Sequence, residues 1–166
     1  MTVNIDFSVL DKQWNHSLPN FKKIISNASN NVFDELNQFK DKNYEISFMM
    51  VDNKYIKELN ANYRSKDRAT NVLSFPMIDK NSLKHENILG DVVISIDKIL
   101  SESKDLKIEV DEYLAKISIH GILHLLGYDH YDSNSKKEMD TLTIDVIKSL
   151  NLDYEKAKIS LGSRNE

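Results

Sequence analysis

The spacing of apolar and polar positions changes period along the chain, and each change marks an element. Val3 to Phe7 alternates residue by residue, the two-residue period of a strand with one buried face. From Pro19 to about Phe39, the apolar positions Phe21, Ile24, Ile25, Ala28, Val32, Phe33 and Leu36 recur at steps of three and four. That period predicts a helix with one core-facing stripe. Pro19 is tolerated near its start, where a missing N–H has no helical partner to lose. Tyr44 to Val51 opens with aromatic and β-branched residues and predicts a second strand. At least one of Met49 and Met50 should be buried in it. Asp52 or Asn53 can cap the helix that follows through Ile56, Leu59 and Tyr63.

Asn71 to Ile78 reads as a third strand, which Pro76 restricts to an edge or a bulge. Ile88 to Ile96 is the fourth. A short helix is expected over Asp97 to about Leu106, then a long one from Asp111 through Tyr113, Leu114, Ile117, Ile119, Ile122 and Leu123. Ser135 with Glu138 three residues on is a capping-box pattern for a last helix to about Leu150. Strands come early and helices late. The class is therefore α+β, a single domain over residues 1–152 with a small mixed sheet of about four strands covered by about five helices. The polar tail, 153–166, is expected to fray.

At 166 residues, with 40% hydrophobic and 29% charged positions, the chain fits one ordinary globular core. No apolar run approaches the ~18 residues that cross a bilayer. The N-terminus has neither a basic start nor an apolar stretch of the secretory kind. With no cysteine there is no disulfide partner. These features point to a cytoplasmic protein without membrane attachment. The net charge of −4 argues against broad nonspecific nucleic-acid binding. Locally the picture differs: Lys54, Lys57, Arg64, Lys66 and Arg68 outnumber Glu58 and Asp67 between positions 54 and 70.

Candidate chemistry lies in His120-Gly-Ile-Leu-His124-Leu-Leu-Gly127-Tyr-Asp-His130, where three of the chain's five histidines fall within eleven residues. A helix advances ~100° per residue, so His120 and His124 share a face one turn apart. Gly127 can adopt the left-handed conformation that ends a helix, and His130 can then swing back as a third nitrogen ligand. Three imidazoles and an open fourth position describe a catalytic zinc site, whereas a structural site is closed by a fourth protein ligand. The spacing is that of the zincin-type motif H-E-x-x-H-x-x-G-x-x-H, which makes this a zincin-like metal helix. Gly121 replaces the glutamate that serves there as base, which disfavours a peptidase. His16 and His85 sit among polar residues and belong on the surface. Trp14 belongs in the core, and Met139 in helix packing.

A second unusual stretch, Leu59 to Pro76, gathers Arg64, Lys66, Asp67, Arg68, Thr70, Asn71 and Ser74 between regular elements. Arginine's planar fork suits phosphate oxygens. A solvated charged turn is the plainer alternative. The carboxylates near the motifs, Asp67, Asp91, Asp129, Asp132 and Glu138, include no assignable base; Asp129 could orient a ligand histidine or simply shape the turn.

The two stretches together resemble the YbeY-type family of bacterial metal-dependent endoribonucleases. The resemblance rests on His120 to His130 and on Asn60 to Pro76, with Leu89-Gly-Asp91 and Glu138-Met139 also fitting. Asn71 departs from it, standing where members commonly carry aspartate, which removes a local carboxylate contact. The resemblance implies one zinc per chain held by His120, His124 and His130, and a catalytic arginine in the cleft at Arg64. It implies action on single-stranded RNA, notably the 3′ end of the small-subunit 16S ribosomal RNA precursor, and a part in ribosome quality control. Small-subunit ribosomal proteins and an assembly GTPase are the implied partners. Arg64, Lys66, Arg68 and Ser74 are the expected substrate contacts. Two other readings stay open: a metallohydrolase of peptide or amide bonds, and a non-catalytic ribosome-assembly factor with a structural zinc.

Overall fold

The computed structural model describes residues 3–39, 42–77 and 87–152. Its strands are β1 (Val3–Val9), β2 (Tyr44–Val51), β3 (Val72–Pro76) and β4 (Ile88–Ser95). Its α-helices are α1 (Gln13–Ser17), α2 (Phe21–Glu35), α3 (Asn53–Arg64), α4 (Ile96–Leu106), α5 (Val110–Leu125) and α6 (Ser133–Ser149). The strands form one sheet in the order β1-β2-β4-β3. β1 pairs with β2, and β2 with β4, in parallel; β3 runs antiparallel to β4. The sheet is mixed, as expected, and β3 lies at its edge, where a strand ending in Pro76 is tolerated.

Alternation along the strands sends side chains to opposite faces. Val92 and Ile94 join the larger core, with Phe48, Met50, α2, α5 and α6. Val93, between them, joins Val51, Leu73 and Ile56 of α3 in a smaller core. α5 is therefore walled in, and twelve of its residues are buried, from Tyr113 to Leu125. A helix apolar on nearly every side belongs in the middle of a domain. Burial on that scale gives the histidines it carries a rigid mount.

Several boundaries differ from the pattern reading. The helix expected from Pro19 begins at Phe21 and ends at Glu35; a 3₁₀ turn, Asn37–Phe39, carries the last apolar residue into the core. Phe39 stacks edge-on with Tyr44 and Phe33 there, so tertiary packing extends the apolar signal past the helix end. α1 was not foreseen, since five residues are too few to display a period. Its Trp14 is fully buried and donates its indole N–H to Val51 O. Among the described residues there are six α-helices, in keeping with the about five expected.

The cap of α6 is Asp132 and not Ser135, correcting the capping-box assignment. The Asp132 carboxylate accepts the Ser135 backbone N–H at 2.8 Å and its hydroxyl at 3.1 Å. Those bonds favour the ionised form and hold its pKa below the ordinary value. Asp52 caps α3 as foreseen, accepting from Tyr55 N. Met50 is buried and His16 exposed. Ile78, His85 and the tail 153–166 lie outside the described residues. Among the described residues, no helix is long and apolar enough to cross a membrane.

Candidate metal centre

α5 ends in a way that explains the histidine spacing. Gly127 N donates to His124 O, and Tyr128 N reaches back to Leu123 O. This pair of bonds is a Schellman closure, which needs a left-handed residue just beyond the cap. Gly127 supplies it with φ +93°. The reversed chain lays the Tyr128 carbonyl 3.0 Å from His124 Nδ1. A carbonyl can only accept, so Nδ1 carries the proton and the Nε2 lone pair is released for a ligand. Two residues later, the same reversal brings His130 back over the helix end.

His120, His124 and His130 each present a ring nitrogen, and the three atoms lie within 4.8 Å of one another. His120 Nε2 and His124 Nε2 are 2.9 Å apart. The rings of His120 and His124 are nearly perpendicular, while His130 lies almost parallel to His120. His120 is buried; the other two are half-buried. This cluster could hold a metal ion. All-imidazole donors suit zinc and its neighbours, not the oxygen-seeking magnesium or calcium.

Gly121, next to the first histidine, faces the sheet. A Cβ there would stand 2.7 Å from Val92 Cγ1 and 3.1 Å from Val72 Cγ2. Its missing side chain is thus a packing requirement, letting α5 settle onto β3 and β4. Ser74 Oγ seals the approach by donating to Gly121 O at 2.8 Å.

The histidines open onto a cleft of about 980 Å³, whose other wall is the basic loop. Arg64, Lys66, Arg68 and Ser74 all line it, so the expected metal ligands and substrate contacts are gathered around one space. Their roles differ. Arg64, Lys66 and Arg68 are exposed. Ser74 is 6% exposed, and its hydroxyl is committed to α5. Asn71 O accepts from Ser95 N, and Met77 N donates to Leu89 O, so the odd-numbered residues of β3 pair with β4. The backbone groups of Val72 and Ser74 therefore face the open edge. Arg64 Nη2 donates to Ser74 O there at 2.8 Å, and its guanidinium lies over the Phe75 ring. One arginine thus covers part of an exposed strand edge, as natural sheets tend to arrange.

Sequence reading missed the braces of this wall. Asn60 is 2% exposed; its side-chain amide donates to Arg68 O, and its backbone carbonyl accepts from Lys66 N. Ser65, in left-handed conformation at the end of α3, starts the loop. Glu102 Oε1 accepts from both Asn71 Nδ2 (2.9 Å) and Tyr113 OH (2.7 Å). Asn71 is thus the neutral partner of a carboxylate, where aspartate would set two like charges together. Of the acidic candidates named above, only Asp129 lines the cleft, joined there by Glu102 and Asp105. Asp129 accepts from Tyr131 N and shapes the turn. Asp67 pairs with Lys57 on the outer side of α3, and Asp132 caps α6. Met139 is buried in the main core. Tyr128, behind His124, has its pKa raised by burial, an effect opposed by a hydrogen bond from Gln38 and reinforced by the charge of Glu138.

The family description "Endoribonuclease YbeY" matches residues 8–151. Curated relatives of that name include one from Ehrlichia canis, 34% identical over 89% of this chain and 94% of its own length. Another, from Caldicellulosiruptor saccharolyticus, is 45% identical over 60% of this chain and 68% of its own. The solution structure of TM1509 from Thermotoga maritima shares the fold at TM-score 0.53, with 22% identity over 90% of this chain and 92% of that one. Since the matched region holds both the basic loop and the histidine turn, the chain belongs to the Endoribonuclease YbeY family.

Proposed function

We propose that this chain is a zinc-dependent, single-strand-specific endoribonuclease that processes the 3′ end of small-subunit 16S ribosomal RNA and serves ribosome quality control in the cytoplasm. The observation that carries the proposal is the facing of a three-imidazole cluster and a cationic loop across one cleft. His120, His124 and His130 would hold one zinc ion per chain. The chemistry it supplies when bound is Lewis acidity, which polarises a phosphoryl oxygen and lowers the pKa of water toward ~7.

The chain's own residues do the rest. Arg64 is the catalytic cation: with one nitrogen anchored on Ser74 O, its remaining N–H groups are oriented to receive charge gathering on the phosphoryl oxygens. Lys66 and Arg68, on the loop that Asn60 braces, neutralise flanking phosphates. Ser74 contributes by holding Arg64 and α5 in place rather than by touching RNA. Small-subunit ribosomal proteins and an assembly GTPase are the partners of such an activity. A peptidase is the poorer fit, because the position of its base faces the sheet and not the cleft.

Arg64→Ala should leave zinc content unchanged and slow RNA cleavage by about 10²-fold, the usual cost of removing one preorganised donor. An unaltered rate would remove Arg64 from the mechanism. The reading as a whole is tested by assaying the protein on single-stranded RNA, duplex RNA and casein, with and without chelator. Chelator-sensitive cleavage confined to single strands is the expected result. Casein hydrolysis, or a chelator that melts the fold of a protein never active on RNA, would reject it. The cleavage ends then name the nucleophile: a 2′,3′-cyclic phosphate marks attack by the RNA 2′-hydroxyl.

A further inference from the structure

We infer that Tyr131 is a stacking platform for an unpaired base of the bound strand, an assignment that rests on the RNA reading above. Its side chain is 86% exposed, more than any other large hydrophobic among the described residues. It lines the cleft directly after His130, with the two rings 6.0 Å apart and tilted by 50°. The backbone beneath it is not loose. Its N–H donates to Asp129 Oδ1, and the next residue caps α6. Tyr63 shows the contrast: it is 70% exposed but rests edge-on against Phe75 at 5.4 Å, outside the cleft lining.

A flat apolar face in water is unfavourable, and the fold of the described residues does not cover it. Across the same cleft stand Arg64, Lys66 and Arg68. A ligand complementary to both walls needs a planar apolar group joined to anionic charge, and a nucleotide of a single strand has both. In a duplex, base stacking and pairing leave no ring face free. Tyr131 therefore contributes to preference for unpaired RNA and sets one base beside the histidine cluster.

The test uses the zinc-loaded protein and its Tyr131→Ala, Tyr131→Phe and Tyr131→Trp variants. The substrate is a short single-stranded RNA; a fully 2′-O-methylated strand serves as the binding probe. Tyr131→Ala should raise KM about 5- to 150-fold, the range for one lost stacking contact, with zinc content unchanged. Tyr131→Phe should restore wild-type KM. The native Trp14 is fully buried and shielded from contact with the strand, so contact quenching in Tyr131→Trp comes from the added indole; the single strand should quench it and the annealed duplex should not. An unchanged KM in Tyr131→Ala, equal quenching by duplex, or loss of zinc in Tyr131→Ala would each overturn the assignment. Failure of the wild type to cleave RNA sinks the functional reading itself; normal wild-type cleavage with an indifferent Tyr131→Ala sinks only the stacking platform.

Discussion

Replacing His124 with alanine should abolish zinc retention and RNA cleavage together, while the protein stays folded. His124 is the informative ligand because of its burial. His120 is 1% exposed, so its truncation would also leave a cavity in the core. His124 is half-buried, and its losses inside the fold include the hydrogen bond to Tyr128 O, about 0.5–1.5 kcal/mol. That is small beside a stability of ~5–15 kcal/mol. Two remaining imidazoles cannot hold the ion as three do, so zinc per chain should fall from about one toward zero. Activity should drop to the level seen with chelator. Full zinc occupancy in a folded His124→Ala protein would place the metal elsewhere.

The largest loss of stability is expected from Gly121→Glu, the change that restores the full zincin-type motif. On motif grounds this variant should gain a peptidase base. On the packing described here it should fail to fold well. The new Cβ meets Val92 and Val72 before the carboxylate is placed at all, and overpacking of that kind costs about 1–3 kcal/mol. The carboxylate then lies between a buried helix and a sheet, with a desolvation penalty of several kcal/mol more. Better helix propensity than glycine returns at most about 1 kcal/mol. A net loss on the order of 5 kcal/mol corresponds to a fall in Tm of about 10–20 °C for a chain this size. Calorimetry of Gly121→Glu beside Gly121→Ala measures it. A Gly121→Glu protein with unchanged Tm and new casein hydrolysis would mean that position 121 faces the cleft after all.

Much of the metal centre was legible because it is local. His120 and His124 are one turn apart on one helix, and Gly127 and His130 follow within six residues, so helix geometry and one left-handed glycine suffice. The edge position of β3 was legible through Pro76. What escaped depends on distance along the chain. Glu102 meets Asn71 across 31 residues, and Ser74 meets Gly121 across 47; no spacing rule links either pair. The meaning of Gly121 escaped for the same reason. Read alone it is a missing base, and only its contact with Val92 reveals a packing site. Ser135 and Asp132 show a subtler failure. Both are good caps, and the choice fell to the residue whose carboxylate reached the third backbone N–H of the helix.

The most direct measurement is X-ray absorption at the zinc edge on the loaded protein, with the His124→Ala variant as reference. The expected spectrum has three imidazole nitrogens and one further light atom that exchanges with added phosphate. A shell of four protein ligands, or a zinc whose histidine scattering is unchanged in His124→Ala, would contradict the open site on which the enzymatic account depends.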